Sequence, residues 1–154
     1  MAKRWMGVAV TGNKAVLVTA IEEDGKSLQI IADDTIDLQS GDRAAAYKVM
    51  HDRVSDRVKH NKVEDVFIKS SAVSMSSMKI THLEAAELRG VVIAAAGTGA
   101  RVRVVSSAQI SRTFGKRKFD DYVKDDDFWS ANVAGAKLRS GSRPAALLLV
   151  AARA

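Results

Sequence analysis

The sequence predicts an α/β fold: a mixed sheet that opens with an antiparallel three-strand meander, continues with parallel strands, and carries helices on both faces. Three observations predict it. β-branched runs separated by tight turns fill residues 5–38. Beyond them, runs with helical periodicity alternate with short apolar runs. Turn dipeptides and capping residues fall between these runs rather than inside them.

The first two strands are "GVAV" at 7–10 and "AVLVTAI" at 15–21, joined by the turn pair Gly12-Asn13. "EEDGK" at 22–26 holds Asp24-Gly25, a hairpin signal, and "SLQIIADDTIDL" at 27–38 supplies the third strand. Three strands with short turns form a meander. From Asp42 to Asn61, Tyr47, Met50, Val54 and Val58 recur at i, i+3, i+7 and i+11, which is one apolar stripe of a helix. "EDVFIKS" at 64–70 is nearly all apolar and suits a buried parallel strand. The next helix lies in "THLEAAELRGVVIAAAGTGA" at 81–100, with Thr81 and Glu84 spaced as a capping box and an end at Gly97-Thr98-Gly99. "ARVRVVSS" at 100–107 is the fifth strand, and a right-handed crossover through the preceding helix joins it to the fourth. A third helical zone covers Ala108 to Phe114, and "GKRKFDDYVKDDDF" at 115–128 reads as a charged loop. The last helix begins near Ser142-Arg143-Pro144, where a first-turn proline costs no hydrogen bond. The order is β-β-β-α-β-α-β-α in one domain spanning 1–154.

Composition bounds the chemistry. Hydrophobic residues make up 47%, enough for a real core, and a single proline argues against extended disorder. The absence of cysteine excludes disulfides, thiolate zinc sites, iron–sulfur clusters and cysteine nucleophiles. No apolar run reaches the ~18 residues of a membrane span, and "MAKRWMG" has no signal-peptide core behind its charges. A cytoplasmic protein with no membrane contact is expected. The net charge of +6 favours polyanions, nucleic acid above all.

Several motifs were weighed against chemistry. Glu84 and Glu87 share a helix face, but capping accounts for the first and a solvated surface for the second. Asp120, Asp121, Asp125, Asp126 and Asp127 lack the glycine and terminal glutamate of a calcium loop, and pair more readily with Lys116, Arg117 and Lys118. "GTG" at 97–99 follows a helix rather than a strand, so it is a helix end and not a phosphate loop. His51, His60 and His82 have no zinc spacing. "SSAVSMSSM" at 70–78 reads as a flexible loop that contacts a ligand backbone. The positive signal is basic: Arg112, Lys116, Arg117 and Lys118 surround Phe114 and Phe119, and Lys137, Arg139 and Arg143 follow in "KLRSGSRP". Lysine and arginine suit phosphates, and the aromatic neighbours suit stacking on unpaired bases. The competing reading places both phenylalanines in the core.

The strings "GVAVTGNKAVLV" at 7–18, "VEDVFIKSS" at 63–71, "LEAAELRGVV" at 83–92, "VRVVSSAQISRTFGK" at 102–116 and "RPAALLLVAA" at 143–152 carry a resemblance by their order and spacing. Together they resemble the RuvC-like branch of the ribonuclease-H-like superfamily and, within it, a small bacterial family of unknown function. The resemblance implies that fold. It also implies a nuclease centre in which carboxylates on the first strand, the end of the fourth strand and the start of the last helix hold two divalent metal ions. Carried over residue by residue, those positions fall at Ala9, at Ser70 (or one place off at Lys69 or Ser71), and at Arg143 or Pro144. None is an acid. Residues 1–21, 66–83 and 128–154 contain no Asp or Glu at all, so a shift of one residue does not restore the set. The expectation is a degenerate centre at Ala9, Ser70 and Pro144, with no metal and no cofactor.

The resulting reading is a noncatalytic RuvC-like protein that binds DNA or RNA through Arg112, Lys116, Arg117, Lys118, Lys137, Arg139 and Arg143. The alternative is a protein-interaction or scaffold subunit with no nucleic-acid contact. A third is a divalent-metal nuclease with relocated acids. The small residues of "EAAELRGVVIAAAG" also suit a homodimer through the helix at 83–97.

Overall fold

A computed structural model describes residues 2–70, 78–115 and 117–154. The meander is β1 (Lys3–Val10), β2 (Lys14–Glu22) and β3 (Leu28–Asp37). After it come α1 (Arg43–His60), β4 (Asp65–Lys69), α2 (Ile80–Ala96), β5 (Arg101–Val105) and α3 (Ser107–Phe114). Two short helices, α4 (Phe119–Val123) and α5 (Asp126–Asn132), precede β6 (Val133–Gly135), a 3₁₀ turn at Ser140–Ser142 and α6 (Arg143–Arg153). The sheet order is β5-β4-β1-β2-β3-β6. β1, β2 and β3 pair antiparallel, whereas β4 runs parallel to β1, β5 to β4 and β6 to β3. The mixed sheet with its meander and parallel extension is therefore as predicted.

Strand parity divides the core into two layers. Met6, Val8, Leu17, Val66 and Ile68 face α1 and α2, packing against Met50, Val54, Leu88 and Val92. Val16, Val18, Ile30 and Phe67 face the other way and pack against Ile110 of α3, Trp129 of α5 and Leu147 of α6. Asp42 caps α1 by accepting the Ala45 N–H at 3.2 Å. Ser106 and Gln109 form a reciprocal capping box on α3, with the Ser106 N–H donating to Gln109 at 2.9 Å and the Gln109 N–H to Ser106 at 3.2 Å.

Four expectations change. The second helix starts at Ile80, and its first turn is held by His82, whose Nδ1 accepts the Lys79 N–H at 3.0 Å, not by Thr81 and Glu84. Glu84 instead pairs with Arg43 at 3.0 Å, and Glu87 accepts the Tyr47 hydroxyl at 3.0 Å, so both carboxylates tie α2 to α1. The charged "loop" at 115–128 holds α4 and the start of α5, because Phe119, Tyr122 and Trp129 supply enough buried apolar area to order it. β6 was not foreseen, since three residues carry no readable period. Gly97-Thr98-Gly99 does form a helix end: the Gly97 N–H donates to the Ile93 carbonyl at 3.0 Å, and the Thr98 hydroxyl to the Ala95 carbonyl at 2.7 Å. The serine-rich stretch lies almost wholly outside the described residues.

Two contacts seat α6. At Gly7 a Cβ would overlap the backbone carbonyl of Ala145, so only glycine lets the strand and helix backbones meet. Asp33 of β3 then fixes the helix start. It accepts from Arg139 at 2.8 and 3.2 Å and from the Ser142 hydroxyl at 2.6 Å, with its side chain only 11% exposed. Burial pushes the Asp33 carboxyl up, but the Arg139 and Ser142 hydrogen bonds and the Arg139 charge outweigh it and hold it below the usual carboxylate range.

Gly7→Ala is expected to destabilise by about 3 kcal/mol or more through overpacking. Gly90→Ala, in a helix interior with nothing within 4 Å of the new methyl group, should stabilise by about 0.5–1 kcal/mol. Urea midpoints of the two variants check the contrast. Asp33→Ala is expected to cost about 2 kcal/mol at neutral pH. Because the folded pKa is depressed, that contribution is present above the unfolded carboxylate value of about 3.9 and is lost as pH falls through the folded value. Urea denaturation at pH 7 and pH 3 should therefore show the penalty shrinking in acid; an equal penalty at both would contradict the assignment.

Candidate nucleic-acid contact cavity

The three positions carried over from the resemblance meet in space. Ala9, Ser70 and Pro144 line one cavity of about 290 Å³, together with Thr11, Lys14, Lys69 and Gly141. β1 brings Ala9, the end of β4 brings Lys69 and Ser70, and the start of α6 brings Pro144. Ser70 is pinned by its N–H, which donates to the Val105 carbonyl at 2.9 Å.

Parity decides between Lys69 and Ser70 as the partner of Ala9. Val8 pairs with Ile68 in parallel register, and both side chains point to the α1–α2 layer. The next residues, Ala9 and Lys69, therefore share the opposite face, toward α6. Lys14 shares it too, two residues before Val16, which pairs with Ala9. Neither lysine belonged to the predicted basic set. Alternation from Phe67 to Lys69 and from Lys14 to Val16 was the signal that would have found them.

Lys69 is held over the ring of Phe119, with Nζ 4.5 Å from the centroid. Burial pushes its ammonium pKa down; the Asp120 charge opposes this and the Arg89 charge adds to it. The charge is thus half-desolvated and only partly compensated. Two carboxylates lie nearby in the fold without lining the cavity. Asp33 is engaged by Arg139 and Ser142, and Asp120 acts on Lys69 through its charge.

The lining residues do not fit a pair of divalent cations. Hard cations need anionic oxygen ligands, and this cavity offers two ammonium groups and the hydroxyls of Thr11 and Ser70. Among the described residues, no group of three or more His, Asp or Glu side chains is arranged to hold a metal ion.

The predicted basic residues divide. Lys137, Arg139 and Arg143 line a second depression of about 670 Å³ beside Trp129. Arg139 is committed to Asp33 and to the Thr35 hydroxyl at 2.9 Å. Arg143 is mostly buried, donates to Asp126 at 2.7 Å and to the Val123 carbonyl at 3.0 Å, and sits over the Trp129 ring. Arg117 donates to Asp125 at 2.7 Å and packs on Tyr122. Arg112, Lys118 and Lys137 are exposed, while Lys116 lies outside the described residues. The aromatic neighbours do not offer free faces to bases. Phe119 is 7% exposed, and Phe114 packs against Tyr122 and Phe128 at ring separations of 5.1 and 5.4 Å.

No helix among the described residues is long and apolar enough to cross a membrane. No protein-family model and no curated protein matches the sequence significantly. Solved structures do match. The Thermus thermophilus RuvC structure aligns with TM-score 0.75 at 13% identity, over 96% of this chain and 92% of that one. The same organism's RuvC in complex with a Holliday junction substrate aligns with TM-score 0.73 at 14% identity, over 96% and 91%. The yeast mitochondrial Holliday junction resolvase aligns with TM-score 0.64 at 8% identity, over 97% of this chain and 77% of that one. At these identities the likeness is one of architecture: the chain has the RuvC-like form of the ribonuclease-H-like fold.

Proposed function

We propose that this protein is a noncatalytic RuvC-like module that holds nucleic-acid phosphates where active relatives hold metal ions. The single observation that carries the reading is the makeup of the cavity at Ala9, Ser70 and Pro144. Among the described residues its lining holds two lysines and no carboxylate. Carboxylates concentrate divalent cations, which in turn activate water. Lysines at the same place repel those cations and attract the phosphate directly. Lys69 supplies a partly desolvated charge, whose interaction with an anion is stronger than in open water. Arg112, Lys118 and Lys137 extend the positive surface beyond the cavity, whereas Arg117, Arg139 and Arg143 serve the fold through their ion pairs. That one matched structure is a mitochondrial Holliday junction resolvase and another holds a Holliday junction substrate supports trying branched DNA first.

A scaffold reading keeps one observation in its favour. Ile80 and Leu83 on α2 are 67% and 47% exposed, and Ala86, Gly90 and Ala94 line the exposed side of the same helix. That face suits a second copy of the chain or another protein, and it is compatible with nucleic-acid contact at the cavity.

Purified protein is expected to leave branched, duplex and single-stranded DNA uncut in Mg²⁺ or Mn²⁺, at the level of a mock preparation. Gel shifts at low and moderate salt should show binding that weakens with salt. Each phosphate contact contributes about 0.7–0.9 to the slope of log affinity against log salt. Lys14→Gln with Lys69→Gln should lower that slope by about one to two and weaken binding at least tenfold at low salt. Cleavage above the mock would overturn the noncatalytic assignment, and an unchanged slope would remove the cavity from the binding surface.

A further inference from the structure

A second cavity lies on the same sheet face, at the opposite end of β1. Its floor is built by alternate residues of three neighbouring strands. In the parallel register Trp5 pairs with Asp65 and Asp65 with Arg101; Gly7 pairs with Phe67 and Phe67 with Arg103. All of these point toward α6 and α3, which leave about 490 Å³ between them. That volume falls in the range of small-molecule sites.

The chemistry of the cavity is graded. Trp5 and Phe67 form an edge-to-face pair at 5.4 Å on the floor, and Ile110 and Leu148 form apolar walls. Lys3 and Arg103 stand at the rim, exposed, with no ion pair or hydrogen-bond partner among the described residues. The third rim cation, Arg101, is neutralised by Asp65 through two bonds of 2.9 Å. One further group is unmatched: the indole N–H of Trp5 is shielded from solvent and meets no acceptor among the described residues. A buried donor without a partner costs about 1–3 kcal/mol, so the Trp5 indole sits less firmly than that of Trp129.

We infer that this cavity binds a small anion carrying a flat aromatic ring. The ring would cover the partly exposed apolar lining at Trp5, Val105 and Ala151, where burying apolar area is favourable. The anionic group would reach Lys3 and Arg103, whose charges have no internal carboxylate to satisfy them. A neutral ring would leave those cations unused, and a small inorganic anion would leave the aromatic floor exposed. The site shares no lining residue with the Ala9–Ser70–Pro144 cavity, so it stands or falls independently of nucleic-acid binding.

The chain has two tryptophans, which gives the test an internal reference. The Trp129 indole N–H is locked onto the Tyr122 carbonyl at 3.0 Å, whereas that of Trp5 has no partner among the described residues. Naphthalene-2-carboxylate titrated into the full chain should shift the Trp5 indole resonance saturably at millimolar concentration and leave that of Trp129 in place. Its neutral counterpart, naphthalene-2-methanol, should bind at least tenfold more weakly. Lys3→Gln with Arg103→Gln, both at exposed positions, should bring the carboxylate down to the affinity of the alcohol while leaving the spectrum of the rest of the chain unchanged. The inference is overturned by the absence of a saturable Trp5 shift, by equal affinity for the two compounds in the parent protein, or by an unchanged preference in the double variant.

Discussion

The close approach of α6 to β1 at Gly7 governs the geometry of everything on that face. Without a side chain on Gly7, the Ala145 carbonyl can rest against the strand backbone. The helix then lies low enough for Ala145, Ala146 and Leu149 to be fully buried. Its first residue pair, Arg143 and Pro144, comes to the level of Ala9, and the turn before it hands Ser142 to Asp33. A bulkier residue at position 7 would lift the helix, widen the cavity and pull Ser142 off its carboxylate together. The helix–strand contact is thus the reason that residues 9, 70 and 144 meet at all.

The same constraint explains why the cavity is small and positively charged. Water screens Lys69 only in part, because Phe119 packs beneath its ammonium group. A charge in such a place requires an opposite charge or a polarisable surface. The aromatic ring and the distant pull of Asp120 meet only part of that requirement. On the proposed reading, an anion supplies at the lysines the balance that divalent cations would supply to carboxylates. The inversion of sign changes the required ligand without changing the scaffold, since a lysine stem on a strand packs much as any other long side chain does. Fold and ligand are separable here for that reason.

Much of this was legible in the sequence, and the limits have physical causes. The meander and the parallel strands β4 and β5 carry their own apolar signal, and the place of the last helix is marked by Pro144 with Ser142 before it. The convergence of Ala9, Ser70 and Pro144 followed from the resemblance and is matched by the lining of the cavity. Lys14 was overlooked because its face depends on pairing two strands correctly, and a slip of one residue would have turned it outward. The aromatic residues at 114–129 were ambiguous for a different reason. Alternating charge and aromatic residues describe equally a base-stacking loop and two short helices laid over a core, and only long-range contacts distinguish them. Glu84 illustrates local logic defeated by tertiary contact: the capping spacing was present, but Arg43 of another helix was the stronger partner.

The arginines and lysines finally sort by pairing, and that sorting narrows where a polyanion could bind. Arg117, Arg139 and Arg143 each lie against an aspartate, and two of them also lie over aromatic rings, so their charges are spent inside the fold. Freeing Arg139 would leave the buried Asp33 carboxylate uncompensated, which a phosphate contact would aggravate rather than relieve. Among the described residues, the exposed cations with no such ion pair include lysines at strand ends and loops, Arg53 and Lys59 on α1, Arg112 on α3 and Arg103 on β5. Lysine carries a point charge on a flexible stem and fixes no planar geometry. A surface composed mainly of such groups recognises phosphate spacing and charge density rather than base sequence. Under the proposed nucleic-acid reading, such a surface discriminates by the shape of the backbone, with the small cavity at Ala9 and Lys69 as its point of closest approach.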